Sequence, residues 1–554
     1  MSGDSETMPA TGLVRDAIDL QRLPWIRPLV TAYLNEFSTV APLFAGNPKD
    51  PAAWRAAIDR VTRASPRDRA QLSAIVARQL DRRNAPDAAR QAAGFLAAES
   101  TVAVVTGQQA GVFGGPLYTL LKAITAIQLA RRVQAEHGTR AVAVFWVDAE
   151  DHDWEEIRSA RVLDQDLSLR QITLGDLDGA GSRPVTSLVL DSRIEDALID
   201  LETSLAKTEF TAEVMSALRQ RYRPGSGVTS AFAGWLEDLL GRHGLVVFES
   251  GDPDAKPLVA DVFGHEVEHP GRTAKLAREA GAALSTLGHQ PQVEPSEDSV
   301  ALFYTDATGR RPIKHRGTDF IVGDTSRPVA TLRDEVRAHP ERFSPNVLLR
   351  PIVQDRLFPT VCYVSGPSEL AYQAQLAGVY RECGVEMPLL YPRATATLLD
   401  SGAARFLDRH PVPLESFHAR DESALNRLLE GQLPPALEKT IEQTARDLTA
   451  RGETLKAEVV AVDPTLAGAV DTTVERMRET LKTLQSKIVH ATKRKDDTLR
   501  RQFSRTRALA FPDGYPQERV LSSVFFVNRY GLALADRLIE ALPLDTSKHY
   551  VLTL

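Results

Sequence analysis

The chain has 554 residues, 43% of them hydrophobic and 25% charged, a composition typical of a globular protein of several domains. Its formal net charge of −7 argues against a protein that depends on a broad nucleic-acid-binding face. No apolar run approaches the ~20 residues that span a bilayer, and the first residues lack the apolar segment of a secretion signal. The two cysteines, Cys362 and Cys383, are too few for a disulfide framework or a zinc quartet. We therefore expect a cytoplasmic protein that binds neither nucleic acid nor membrane.

In chain order, residues 14 to about 95 are predicted to be helical. Residues 102–105 form an apolar, β-branched run typical of a buried strand, which is expected to stop at the glycine-rich stretch TGQQAG. Pro116 is a favourable first helical position, the apolar residues after it recur at mostly helical spacing, and Gly138 ends the helix. Residues 141–147 are a second apolar strand, followed at once by the run DAEDHD.

This strand–helix–strand order predicts a βαβ unit with parallel strands and a right-handed crossover. The TGQQAG loop and the DAEDHD run would then lie side by side at the carboxyl edge of the sheet, where open α/β sheets bind ligands. The N–H groups at the start of the intervening helix would point to the same place and favour an anion. We therefore predict the main functional site at this edge.

Two insertions of helices and short strands are expected at about 156–243 and 254–345, on either side of a core strand at 245–248. A second strand–helix–strand unit follows, with strands at 361–364 and 389–391. Its helix begins after a glycine–proline pair, as in the first unit, and the polar residue Arg393 follows its last strand. These residues are expected near the same sheet edge.

The character of the sequence changes after about residue 412. Apolar residues then recur in steps of 4 and 3, with one break at Asp463-Pro464. Such heptad spacing predicts an antiparallel helical hairpin that forms a coiled coil. We place the core at residues 1–405, the coiled-coil domain at 406–515, and a tail that packs back on the core at 516–554.

The first strand–helix–strand unit supplies most of the candidate site residues. For the TGQQAG stretch, a loop that binds an anion is favoured over a simple tight turn, because a turn does not need two adjacent glutamines. The acidic run offers a general base, since a carboxylate can orient and tune its histidine, or oxygen ligands for a hard metal ion, or only a solvated loop. A lysine near the start of the helix would neutralise phosphate or carboxylate, with a surface lysine as the alternative. The candidates are Thr106, Gly107, Gln108, Gln109, Gly111, Tyr118, Lys122, Glu150, Asp151, His152 and Asp153.

The second strand–helix–strand unit adds six candidates for substrate binding. Its polar residues precede its first strand, follow it, or follow its second strand. Asp355 is explained equally well as a helix or turn cap, and Glu369 as a carboxylate that the first turn of its helix stabilises. The candidates are Gln354, Asp355, Ser365, Gly366, Glu369 and Arg393.

Several familiar motifs are missing from the sequence. No GxGxxG follows a strand, and there is neither a GxxxxGK[ST] loop nor a GxSxG elbow, so dinucleotide, P-loop and hydrolase fingerprints have no support. Residues 265–269, HEVEH, match the HExxH pattern of zinc hydrolases. Pro270-Gly271 ends that helix where such sites continue towards a third ligand, so we interpret it as a surface helix and predict no metal site.

Six longer stretches, in order from about residue 100 to 530, carry a family resemblance. They are TGQQAG with GPLYTLLK, FWVDAEDHDWEEI, RPIVQD, SGPSELAYQAQL, YPRATATLL and QERVLSSVFFVNRYG. The chain resembles the BshC family, the cysteine-adding enzymes of bacillithiol biosynthesis. The resemblance implies an α/β fold with a Rossmann-like parallel-sheet core, inserted connecting segments and an antiparallel α-helical coiled-coil domain that supports a homodimer. It also implies a ligase that joins L-cysteine to glucosaminyl-malate in the last step of the pathway.

Joining an amine to a carboxylate requires an activated carboxylate, and ATP with Mg²⁺ is the usual activator for a ligase, although the phosphate fingerprints are absent. We expect Lys122 and the TGQQAG loop to hold the anionic part of a substrate or nucleotide. Asp151 and His152 would orient or deprotonate the attacking amine, which must be neutral to react. Glu369 and Arg393 would clamp the substrate. The alternative is a non-catalytic assembly or binding protein that works through its coiled coil.

Overall fold

The computed structural model describes residues 12–64, 68–430, 435–495 and 497–554. The chain divides into two compact units, of which the first comprises the chain up to Leu398 together with Gln517–Leu554 and the second is Leu399–Pro516. The helix Ser401–Arg409 therefore belongs to the second unit and not to the core, because it packs against the helix Asp497–Ala510 of that unit.

The first unit is built on a five-stranded parallel sheet. Its strands are β1 (Val102–Gln109), β2 (Ala141–Asp148), β3 (Val246–Glu249), β4 (Thr360–Ser365) and β5 (Leu389–Pro392). They are ordered β5-β4-β1-β2-β3, and every neighbouring pair is parallel. This is the order of the first five strands of a Rossmann sheet, so the predicted fold class and all five core strands are confirmed.

The strand order reverses between β1 and β4. From β1 the chain winds outwards through β2 to β3, and on the other side of β1 it winds from β4 to β5. The connections that leave β1 and β4 therefore diverge, and a crevice opens between them at the carboxyl edge of the sheet.

The stretch predicted as a TGQQAG loop is mostly strand. β1 continues to Gln109, and its last residues pair in parallel register with β2, Gln109 lying opposite Asp148. Gly107 is required here by close packing, because a β-carbon would lie 2.9 Å from the carbonyl oxygen of Trp146. The prediction that the strand ends at residue 105 is therefore wrong. The strand continues because the backbone of its last residues is hydrogen-bonded to the neighbouring strand β2.

The helix between β1 and β2 is Leu117–His137, and it is confirmed at both ends. It begins directly after Pro116 and ends at Gly138, whose φ of 64° is the left-handed conformation that glycine adopts easily. Most of this helix is buried because it lies between the sheet and the C-terminal segment.

Further helices of the first unit cover both faces of the sheet and form the insertions. They are Pro28–Asn35, Phe37–Val40, Pro51–Arg63, Arg69–Arg82, Asp87–Phe95, Trp154–Ile157, Arg193–Ser204, Thr211–Arg221, Val228–Leu240, Ala260–Glu268, Arg272–Thr286, Val329–Ala338, Arg350–Leu357, Pro367–Gln373, Ala377–Glu382, Gln517–Val520, Ser523–Tyr530 and Leu534–Ala541.

Three smaller sheets accompany the central one. The insertion between β2 and β3 contains a hairpin, Ser159–Leu163 with Leu169–Thr173. The insertion between β3 and β4 contains an antiparallel sheet of Ser299–Asp306, Gly309–Arg316, Asp319–Val322, Thr325–Pro328 and Phe343–Pro345, which confirms the short strands expected there. The third sheet is formed by Val14–Asp19, Lys548–Thr553 and Thr395–Leu399.

The prediction that residues 14 to 95 are helical is wrong at its start. Val14–Asp19 is a strand that pairs antiparallel with Lys548–Thr553. The partner strand lies at the other end of the chain, so no local pattern could indicate the pairing. The later helices of this region are confirmed.

The second unit contains the predicted helical hairpin. Its long arms are Pro435–Val462 and Ala467–Lys495, joined at a short turn, and they pack against each other. The arms approach closely where a β-carbon on Gly452 would lie 2.5 Å from the Val474 side chain. The other helices of this unit are Ser401–Arg409, Ser423–Glu430 and Asp497–Ala510. Among the described helices of the whole chain, none has the length and apolar character needed to cross a membrane.

Candidate functional site

A cavity of about 580 Å³ lies at the carboxyl edge of the central sheet, at the crevice between β1 and β4. Its walls come from the ends of β1, β2, β4 and β5, from the insertion between β3 and β4, and from the C-terminal segment. Eleven predicted site residues line it: Gly107, Gln108, Gln109, Tyr118, Lys122, Glu150, Asp151, His152, Gly366, Glu369 and Arg393.

Six predicted residues lie outside the lining of this cavity, and three of these have clear roles in the local fold. The Thr106 hydroxyl donates to the carbonyl of Val364 at 2.9 Å and ties β1 to β4. Gly111 allows a close backbone approach, because a β-carbon there would lie 2.9 Å from Cα of Gly115. Asp153 caps the helix Trp154–Ile157 through the N–H of Glu156 at 3.1 Å.

The other three residues are buried beneath or beside the cavity. Gln354 donates to Asp355 at 2.9 Å, and the hydroxyl of Tyr380 donates to the same carboxylate at 2.5 Å. Burial raises the pKa of Asp355 to about 6, although these hydrogen bonds act in the opposite direction. Ser365 is 1% exposed, and its hydroxyl has no hydrogen-bond partner among the described residues.

At the start of the helix Leu117–His137, the first N–H is already bonded to a distant part of the chain. The N–H of Leu117 donates to the carbonyl of Leu521 at 2.9 Å, and the N–H of Ser523 donates to the carbonyl of Gly115 at 2.9 Å. The C-terminal segment therefore caps this helix, and its terminal N–H is already used. Only side chains from the first two turns, Tyr118 and Lys122, reach the cavity wall.

Lys122 is the most deeply buried cation of the site, with 1% of its surface exposed. Its ammonium lies 2.5 Å from Glu369 Oε2 and donates to the carbonyl of Gly107 at 2.6 Å. Burial lowers the pKa of Lys122, and the carboxylate of Glu369 opposes that shift only in part. Burial alone would raise the pKa of Glu369, but Lys122, Tyr363 and Gly366 outweigh it and hold that pKa below its usual value.

Glu369 acts mainly by holding other groups in place. Its Oε1 accepts the hydroxyl of Tyr363 at 2.7 Å, and its Oε2 accepts the N–H of Gly366 at 2.6 Å in addition to Lys122. Because both oxygens are occupied, Glu369 orients Lys122 and the first turn of its own helix more than it offers a binding site.

The acidic run after β2 brings Asp151 and His152 to the opposite wall. Asp151 Oδ2 accepts from the side chain of Gln109 at 2.9 Å, and Asp151 Oδ1 accepts the backbone N–H of His152 at 2.7 Å. The second of the paired glutamines therefore orients the carboxylate that the sequence indicated as catalytic.

Two other predicted side chains are engaged in buried ion pairs. Glu150 pairs with Lys256, whose side chain is 5% exposed. Arg393 makes a two-point contact with Glu518 of the C-terminal segment, at 2.6 and 3.0 Å. Arg393 therefore anchors that segment at the cavity wall, and its guanidinium is less available to clamp a substrate than predicted.

Five charged residues of the cavity were missed by sequence reasoning: Asp148, Glu156, Arg310, Arg350 and Arg519. Asp148 opens the DAEDHD run, and Arg350 and Arg519 stand in the stretches RPIVQD and QERV, so the signals were present. Arg310 has no comparable local signal, because it lies inside an insertion. Burial raises the pKa of Asp148 to about 6, against the opposing charge of Arg350.

The HEVEH stretch lies elsewhere in the first unit. Its helix, Ala260–Glu268, ends directly after Glu268, as the following Pro270-Gly271 predicted. The carboxylate of Glu266 is 1% exposed and accepts the N–H of Ala301 at 2.8 Å, which ties the helix to the antiparallel sheet. The described part of the chain contains no cluster of three or more His, Cys, Asp or Glu side chains arranged to hold a metal ion.

Comparison with protein families matches nearly the whole chain. Residues 15–394 match the family described as bacillithiol biosynthesis BshC, N-terminal Rossmann-like domain. Residues 396–554 match its C-terminal coiled-coil domain.

Individual relatives match over similar lengths, and each is named "Putative cysteine ligase BshC". The relative from Salinibacter ruber is 33% identical over 94% of this chain and 95% of its own length. The relative from Chlorobaculum tepidum is 33% identical over 82% of this chain and 83% of its own length, and the one from Symbiobacterium thermophilum is 30% identical over 93% and 95%. The sheet order, the helical hairpin and these matches together show that the chain belongs to the BshC family of bacillithiol biosynthesis.

Proposed function

We propose that this protein is a ligase that joins L-cysteine to glucosaminyl-malate through an amide bond and so forms bacillithiol in the last step of the pathway. The name shared by the relatives supports the cysteine ligase activity. We also propose that the enzyme works in the cytoplasm, where ATP is available.

One observation carries the proposal, namely that the cavity presents to a substrate carboxylate a cation that forms no direct ion pair among the described residues. Arg350 is 9% exposed, lines the cavity, and hydrogen-bonds to the neutral partners Tyr372 and Gln354 at 2.9 and 3.2 Å. Within the described residues it forms no ion pair with a carboxylate. A guanidinium binds a carboxylate through two parallel hydrogen bonds, so Arg350 suits a carboxylate of the malate or of cysteine.

The other cavity residues fit the chemistry of amide formation. Lys122, held by Glu369 beside the end of β1, would balance the negative charge that develops on the reacting carbonyl or on its leaving group. Asp148 and Asp151 lie on the facing wall and would attract the amine of the second substrate. A positive charge on one wall and negative charges on the facing wall favour two substrates bound side by side in the cavity.

ATP with Mg²⁺ is the activator that we propose for the carboxylate. We expect its phosphates to use cationic side chains, since the Leu117 N–H at the helix start is occupied by Leu521. The exposed Arg519 at the cavity wall and Lys122 are available for that purpose. Mg²⁺ would arrive with the nucleotide, since it is commonly bound by phosphates and only one or two carboxylates.

The direct test incubates purified protein with L-cysteine and glucosaminyl-malate, with and without ATP and Mg²⁺, and follows the product by thiol labelling and mass spectrometry. We expect product only in the complete mixture, and Arg350→Met to abolish it. Product without ATP would refute the activator, and no product in any mixture would refute the ligase.

Thermal unfolding separates binding from turnover. A ligand at a hundredfold excess over its dissociation constant adds about 2.7 kcal/mol to the free energy of unfolding. We expect glucosaminyl-malate to raise the midpoint of the wild type but not that of Arg350→Met. Absence of a shift with every substrate would favour the non-catalytic assembly protein.

We propose that a second copy of the chain covers the helical hairpin and makes a homodimer. Leu455, Met477 and Leu484 are 51%, 49% and 51% exposed, although they stand at heptad positions that normally pack. Light scattering should report a dimer for the wild type and for Lys482→Glu, a polar site on the same helix, and a monomer for Leu484→Glu. A monomeric wild type would refute the dimer and leave the ligase untouched.

A further inference from the structure

Arg310 reaches the cavity from the insertion between β3 and β4, and its surroundings hold its guanidinium firmly. Its side chain is 5% exposed, its Nε donates to Ser344 Oγ at 2.9 Å, and one terminal nitrogen donates to the carbonyl of Pro345 at 3.0 Å. The guanidinium carbon lies 3.6 Å from the centre of the Phe303 ring. The remaining terminal nitrogen faces His152.

That nitrogen lies 3.2 Å from His152 Nδ1. A guanidinium can only donate hydrogen bonds, so Nδ1 must accept. A neutral imidazole carries one hydrogen, which is therefore on Nε2. Asp151 Oδ1 is the competing influence, but it lies 3.5 Å from Nδ1, longer than an ordinary hydrogen bond, and already accepts the backbone N–H of His152.

We infer that Arg310 is a positioning residue that holds His152 as its Nε2–H tautomer, so that His152 donates a hydrogen bond to a substrate oxygen and does not act as a base. Nε2 has no partner among the described residues, and His152 lines the cavity. The oxygen that suits this donor is one that gains negative charge, such as the carbonyl oxygen of the cysteine carboxyl group under attack. The identity of that oxygen rests on the proposed ligase function, whereas the tautomer does not.

This inference changes the role that the sequence indicated for His152. If Nδ1 is occupied by Arg310 and Nε2 already carries a hydrogen, the imidazole has no lone pair for the proton of the amine. Asp148 is then the carboxylate placed to receive it, because it lines the same cavity and accepts no hydrogen bond from the described residues.

The tautomer is measurable without any substrate. Full-length protein labelled with ¹⁵N-histidine should show, for the signals that disappear in His152→Gln, a protonated Nε2 and an unprotonated Nδ1. In Arg310→Met we expect the Nδ1–H form to appear, since Asp151 is then unopposed, and in Arg310→Lys, which still only donates, the original tautomer to return. A protonated Nδ1 in the wild type overturns the inference.

Two isosteric variants test the donor role by activity. The amide nitrogen of glutamine approximates the position of histidine Nε2, and that of asparagine approximates Nδ1. We expect His152→Gln to keep activity within about tenfold of the wild type, whereas His152→Asn and His152→Ala lose about 100-fold or more, the usual effect of removing one such donor. Equal losses in all three variants would overturn the donor role, because glutamine cannot replace a base.

A structural role of Arg310 alone gives a different result. Ser344→Ala removes one anchor of Arg310 but leaves the contact with His152, so we expect its spectrum and its kcat to stay close to those of the wild type. If Ser344→Ala shifts the tautomer as much as Arg310→Met does, Arg310 only maintains the fold. If the wild type shows the Nε2–H form but ligates no cysteine, the proposed function fails and the Arg310–His152 pairing stands.

Discussion

The carboxyl edge of the central sheet and the helical hairpin use charged residues in opposite ways. At the sheet edge the ion pairs are buried, as in Arg393 with Glu518, whose side chains are 4% and 6% exposed. On the hairpin they are exposed, as in Lys456 with Asp471, at 33% and 56%. Exposed pairs contribute little to stability, whereas breaking a buried pair is costly, so the sheet edge is where charge can be used for chemistry.

The largest expected effect comes from breaking the buried ion pair of Arg393 and Glu518 at the sheet edge. Glu518→Ala leaves the guanidinium of Arg393 buried without a counter-charge and should lower the free energy of unfolding by about 3–5 kcal/mol. The matched change on the hairpin, Asp471→Ala, should cost about 0–1 kcal/mol. Urea denaturation of both variants makes the measurement, and similar losses would show that burial does not separate the two regions.

The second effect is on activity. Lys122→Met removes the buried ammonium beside Glu369 and should lower kcat by about 100-fold or more, because no other group replaces its charge at that point. Lys482→Met on the hairpin, with a side chain 69% exposed, should leave kcat unchanged. An unimpaired Lys122→Met enzyme would remove this lysine from the mechanism.

The third effect depends on pH and concerns Asp148. Its pKa in the folded protein, about 6, is higher than the ~3.9 of an unfolded aspartate, so folding favours the protonated form. The stability due to that proton is fully present below about pH 4 and is lost as the pH rises through about 6. Asp148→Asn should therefore be more stable than the wild type at pH 7, by about 3 kcal/mol.

Denaturation at several pH values checks this prediction. The advantage of Asp148→Asn should shrink steadily between about pH 7 and pH 4. An advantage that is constant with pH would mean that the ionisation of Asp148 is not what destabilises the folded protein.

The smallest effect separates a structural carboxylate from a site carboxylate within one acidic run. Asp153→Ala should cost about 1 kcal/mol of stability through the lost helix cap and should leave KM and kcat unchanged. Asp151→Ala should lower activity, because it removes the partner of Gln109 in the cavity. Steady-state kinetics of the two variants, made under one set of conditions, decide whether the acidic run is divided in this way.

Much of the architecture was predictable because it depends on local patterns. Five short apolar runs became the five central strands, since a parallel sheet covered on both faces needs continuous apolar strands. The helix Leu117–His137 was predictable at both ends from a proline and a glycine, and the hairpin from its heptads. Eleven of the predicted site residues line the cavity for a related reason: polar stretches that follow parallel strands meet at one edge.

What local patterns could not indicate depends on distant parts of the chain. The pairing of Val14–Asp19 with Lys548–Thr553, the capping of the Leu117 helix by Leu521, and the engagement of Arg393 by Glu518 each join segments far apart in sequence. Arg310 reaches His152 because an antiparallel insertion folds over the sheet edge. Periodicity and motif chemistry therefore determined the helices, the strands and the sheet edge that carries the site. Long-range packing decided which partner each charged side chain has, and with it the role of that side chain. The physical reason is that an ion pair or hydrogen bond depends on distances in space and not on separation along the chain.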